Sequence, residues 1–83
     1  MIVRRRAPQS AAGVALRHRF ARNLRQFRTA RGMTQNQLAS AAGLGRTFIS
    51  QVEQGRFSVT LETIGALSTA LGICPTMLMQ SAE

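Results

Sequence analysis

The chain has 83 residues, and eleven arginines with no lysine stand against only Glu53, Glu62 and Glu83, for a formal charge of +8. This length makes one small domain with a modest core, of a size often stabilised further by self-association, and the charge favours a polyanionic partner. Cys74 and His18 are the single cysteine and histidine, too few for an internal disulfide or a four-ligand metal site, so neither a metal nor a cofactor is expected.

Residues 1 to 14 read as a basic arm. Arg4, Arg5 and Arg6 precede Pro8 and the small residues Ser10 to Gly13, a composition too poor in large apolar groups to fold alone. Two readings stay open: a tail that touches phosphates or enters a minor groove, and a leader that contacts nothing. Arg17 and Arg19 interrupt any hydrophobic segment behind the twin arginines, which argues against an export signal. No apolar run approaches the roughly 20 residues that cross a bilayer, so a cytoplasmic protein is expected.

The folded domain is expected over residues 15 to 80. A long first helix is predicted from Val14 to Arg31, with Leu16, Phe20, Leu24 and Phe27 as its core stripe. Arg17, Arg22, Arg25 and Arg28 flank the stripe and His18 reads as a surface residue. An arginine-rich amphipathic helix can also lie on an anionic membrane. The narrow stripe, and the need of the later helices for a packing partner, favour a bundle instead.

The stretch from Thr34 to Gly55 reads as two short helices joined by a tight turn. Thr34 is the expected N-cap of the first, Leu38, Ala39 and Ala42 its apolar contacts, and Gly43 its left-handed end. Leu44 fills the corner. The second helix should begin near Gly45 or Arg46, bury Phe48, Ile49 and Val52, and stop at Gly55. Arg46, Thr47, Ser50, Gln51 and Gln54 then fall on the opposite arc. These side chains suit base edges: arginine pairs with guanine, glutamine with adenine, and the threonine methyl meets that of thymine. Any surface helix also has a polar outer face, so the arc alone does not decide the matter.

In the loop that follows, Arg56 and Ser58 are candidates for the phosphate backbone, while Phe57 is left between packing on the domain and facing a partner. The next helix is predicted over Leu61 to Leu71, capped by Thr60 and ended by Gly72, with Glu62 in its first turn. Leu61, Ile64, Leu67 and Leu71 form its expected core face. Pro75 opens a short fifth helix. Met77, Leu78 and Met79 follow in succession, so one face can enter the core, and the exposed remainder is a candidate dimer interface, the alternative being a frayed tail.

The order G-M-T-Q-x-x-L-A-x-x-A-G-L-x-R-T-F-I-S-x-V-E-x-G from Gly32 to Gly55, followed by T-L-E-T-I-G-A-L-S-T-A-L-G-I from Thr60 to Ile73, resembles the Cro and lambda-repressor (XRE-type) helix-turn-helix family. Within it, the chain is most similar to the controller proteins of restriction-modification systems. The resemblance implies an all-α, compact five-helix bundle with a central helix-turn-helix. It implies a homodimer on a roughly palindromic operator in double-stranded DNA, with base contacts from Arg46, Thr47, Ser50 and Gln51. Gln35, assisted by Thr34, would grip a phosphate at the start of its helix, and Arg28 would pair with Glu53 as a structural salt bridge. A bacterial or phage origin and the absence of a small-molecule effector go with the same reading.

Nothing in the sequence supports catalysis: the glutamates are dispersed, and no glycine-rich phosphate loop is present. An antitoxin holding a toxin through its apolar C-terminal face, and an adaptor of the same fold that binds proteins without reading DNA, are the competing functions.

Overall fold

The computed structural model describes residues 10–81, so the arginine-rich stretch Arg4 to Arg6 lies outside the described residues. The elements in chain order are α1 (Ala11–Ala30), α2 (Gln35–Ala42), α3 (Arg46–Glu53), α4 (Leu61–Leu71) and a final 3-10 turn, Pro75–Met79. The fold is therefore all-helical, with four α-helices among the described residues rather than five. Pro75 does open the last element, but its five residues hold a tighter i→i+3 turn, with the Met77 amide donating to the Cys74 carbonyl at 2.9 Å.

Helix α1 starts at Ala11, three residues before the predicted Val14, which places residues 11–14 in the helix and not in an arm. Ser10 caps it, its hydroxyl accepting from the Gly13 amide at 2.9 Å. A serine cap followed by two alanines is a sufficient local helix signal even without apolar side chains to bury.

The core gathers Phe20 and Leu24 of α1, Leu38 of α2, Ile49 and Val52 of α3, Leu67 and Leu71 of α4, and Leu78 of the 3-10 turn. Helix α1 packs on α3 and on the C-terminal turn, while α2 packs on α3 and α4. Three predicted placements need correction. Leu16 remains 43% exposed, because the N-terminal part of the α1 stripe runs past the main core and lines an open groove. Leu61 is 82% exposed: as the first residue of α4 it points about a quarter turn away from Leu67 and Leu71. Leu78, taken as interface, is fully buried.

Asn23 escaped the sequence reading. It sits in the α1 stripe between Phe20 and Phe27, is buried, and its Nδ2 donates to the carbonyls of Leu78 (2.9 Å) and Gln80 (2.8 Å). These bonds tie the C-terminal segment to α1. A polar residue inside an apolar stripe is the signal that marks such a buried, hydrogen-bonded side chain.

Candidate nucleic-acid interface

Thr34 and Gln37 form a reciprocal capping box at the start of α2: the Gln37 amide donates to Thr34 Oγ1 at 3.0 Å and the Thr34 amide to Gln37 Oε1 at 2.9 Å. The helix ends at Gly43, whose φ of 72° lies in the left-handed region where any side chain is disfavoured. The Leu44 amide then reaches back to the Ala39 carbonyl at 2.8 Å, and Leu44 packs against the core. This reversal sets Gly45 as the N-cap of α3.

Helix α3 buries Ile49 and Val52 and turns Arg46, Thr47 and Gln54 fully outward, with Ser50 and Gln51 half-buried at the sides. Gln54 Nε2 donates to Ser50 Oγ at 3.2 Å, so Ser50 presents a hydroxyl already oriented by its neighbour. Phe48 stacks on Phe57, centroids 5.9 Å apart and planes 20° from parallel. Phe57 thus packs on the domain while 43% of it stays open to solvent. Arg56 and Ser58, on the same loop, are exposed.

The last turn of α3 is fixed by a buried cluster. Arg28 of α1 donates through Nε to Glu53 Oε2 at 2.6 Å and through Nη2 to Oε1 at 3.0 Å. Its Nη1 donates to the Met33 carbonyl at 2.7 Å, in the turn between α1 and α2. Glu53 Oε1 also accepts from Gln35 Nε2 at 3.1 Å. The pair is largely withdrawn from water, with side-chain exposures of 12% for Arg28 and 4% for Glu53. One carboxylate therefore joins α1, the start of α2 and the end of α3, and it holds Gln35 in place.

That bond gives Gln35 an internal partner in Glu53, whereas the sequence reading assigned it to phosphate. One N–H of its amide is used, and Gln35 itself is half-buried at the start of α2. Thr34 is exposed, with its oxygen engaged as the cap.

Among the described acids, Glu53 is consumed by the cluster and Glu62 sits in the first turn of α4. Arg46 and Arg56 are therefore without an ion pair among the described residues. No group of three or more His, Cys, Asp or Glu among them is placed to hold a metal ion. Cys74 is exposed, and the hydroxyl and then the backbone of Thr76 draw its thiol below the usual range, far along the chain from the α3 surface. No described helix is long and apolar enough to cross a membrane.

Residues 24–77 match the family described as helix-turn-helix. The chain belongs to that family. Its relatives include a hypothetical transcription factor of Neisseria meningitidis, 39% identical over 64 residues that make up 77% of this chain and 60% of that protein. They also include control protein C.BamHI of Bacillus amyloliquefaciens, 39% identical over 61 residues, 72% of this chain and 75% of the relative. Among solved structures, the restriction-modification controller protein C.AhdI of Aeromonas hydrophila superposes with a TM-score of 0.75 at 42% identity, over 77% of this chain and 97% of that one. These relatives carry the names of a transcription factor and of control proteins of restriction-modification systems, and the chain spans 60% of the first of them.

Proposed function

We propose that this helix-turn-helix protein is a sequence-specific regulator that binds double-stranded DNA as a homodimer. The observation that carries the reading is the outer face of α3: Arg46, Thr47, Ser50 and Gln51 on a helix free of outward acid, locked to α1 and α2 through Glu53. Inserted into a major groove, Arg46 pairs with guanine O6 and N7, Gln51 with adenine, and Thr47 and Ser50 supply shorter contacts. Thr34, Gln35, Arg56 and Ser58 contact the phosphates on either side and set the register.

The dimer contact is an apolar groove of about 230 Å³, lined by Leu16, Phe20, Phe57, Val59, Ile64 and Met79. Leu61 is exposed one helical turn before Ile64, and half-buried Met77 lies two residues from Met79. A second copy seated here covers apolar surface that a single chain leaves in water. Two α3 helices related by a two-fold then enter successive major grooves about 34 Å apart, and the operator is roughly palindromic. Such a regulator works in the cytoplasm of a bacterium or on a phage genome, its occupancy set by its own concentration.

Replacing Arg46 separates base reading from general attraction. Arg46→Ala should weaken binding to the preferred duplex by about 1–3 kcal/mol and relax the preference at one base pair, with little change on unrelated DNA. Competition titrations with both duplexes measure this. Equal losses on the two would remove Arg46 from the reading surface.

A further inference from the structure

Helix α1 carries two exposed charges, Arg22 and Arg25, that neither the fold nor the α3 surface uses. His18, Ala21, Arg25 and Arg28 follow one another at spacings of three, four and three, which places them on a single ridge of the helix. The two ends of that ridge touch the end of α3 and the glycine just past it. At one end Arg28 holds Glu53 at 2.6 Å. At the other, the His18 ring covers Gly55, with Nδ1 2.7 Å from the point where a side chain on that glycine would begin. Ala21 is buried between them, and Arg17 Nε donates to the Gly55 carbonyl at 3.2 Å.

Arg25 lies on the same ridge between these two contacts, one helical turn from Arg28 and two from His18. Arg22, three residues earlier, flanks it on the solvent side. Both are exposed, and among the described residues neither guanidinium has a hydrogen bond or an ion pair, the Arg25 carbonyl accepting from the Thr29 hydroxyl at 2.9 Å. The only described carboxylate in that neighbourhood, Glu53, has its oxygens occupied by Arg28 and Gln35. Exposed Arg56 leaves α3 from the same end.

We propose that Arg22 and Arg25 form a second phosphate-contacting patch, which with Arg56 extends the DNA footprint beyond the C-terminal end of α3. The inference rests on the reading of α3 as the DNA-facing helix. Because α1 is fixed to the end of α3 through Arg28 and to the following loop at Gly55, the helix that carries these arginines arrives at the duplex already positioned. Their contacts are with backbone charge, so they add affinity on every sequence and carry no base preference. Cations near a helix C-terminus also interact with its dipole, a purely internal role that leaves no trace in the salt dependence of DNA binding.

The test uses the full chain, with titrations of its selected duplex and of an unrelated duplex of equal length at several salt concentrations. For R22A/R25A, loss of two phosphate contacts lowers the slope of log affinity against log salt by about 1.8 and weakens both duplexes by about 60-fold at 0.1 M salt. R22K/R25K keeps the charges and restores the slope. Alanine is the best helix former, so the melting temperature serves as a control on folding. An unchanged slope in R22A/R25A, with wild-type protein still selective, overturns the patch and leaves the α3 reading intact. A reduced slope with no selectivity in the wild type supports the patch and removes the α3 reading.

Discussion

Glu53→Ala should unfold this protein at a much lower temperature, by about 3–5 kcal/mol in stability, or at least about 12 °C in Tm for a domain of this size. The carboxylate accepts two hydrogen bonds from Arg28 and one from Gln35, and its side chain is only 4% exposed. Removing it leaves the Arg28 guanidinium partly buried with the Met33 carbonyl as its remaining partner. An unpaired buried cation costs far more than the pair itself contributes, since both charges had to be desolvated to form it. The same logic makes R28M/E53L less damaging than Glu53→Ala, because no charge is then stranded. Thermal melts of the three proteins at one concentration check the order. A Tm unchanged in Glu53→Ala would contradict the assigned role of the cluster.

Leu78→Ala should cost about 2–5 kcal/mol, a core-sized loss, although this residue is close to the C-terminus. Its side chain is fully buried against the core, and its carbonyl receives the Asn23 amide at 2.9 Å. Truncation opens a cavity where α1, α4 and the C-terminal turn meet and loosens the segment that Asn23 clamps. Denaturant melts at several protein concentrations distinguish this from an interface role. A core residue lowers stability at every concentration, whereas an interface residue acts mainly through the concentration dependence. A small effect confined to dilute protein would return Leu78 to the interface.

The sequence made the helix-turn-helix legible because its determinants are local. A threonine cap, a glycine at φ 72° and a short apolar pattern define α2, the turn and α3 with neighbours no more than four residues apart. The ends of α4 at Thr60 and Gly72 were legible for the same reason. What failed depends on distant partners. Leu16 and Leu61 have the apolar character of core residues, yet among the described residues no element encloses them. Leu78 has the character of a surface anchor at a chain end, yet α1 and α4 enclose it. The run Met77-Leu78-Met79 has no periodicity that tells which member points inward, and a tight turn divides it differently from an α-helix. At the candidate site, the outward residues of α3 follow from the helical period alone. The hold of Glu53 on Gln35 spans 18 positions and becomes visible only in three dimensions.

Selection of bound duplexes from a random DNA pool addresses the central reading most directly. Reading by two α3 helices predicts a two-fold symmetric consensus, half-sites about one helical turn apart and two chains per duplex, bound much more tightly than bulk DNA. Salt-sensitive binding with no consensus would contradict it and reduce the arginines to a general phosphate-binding surface.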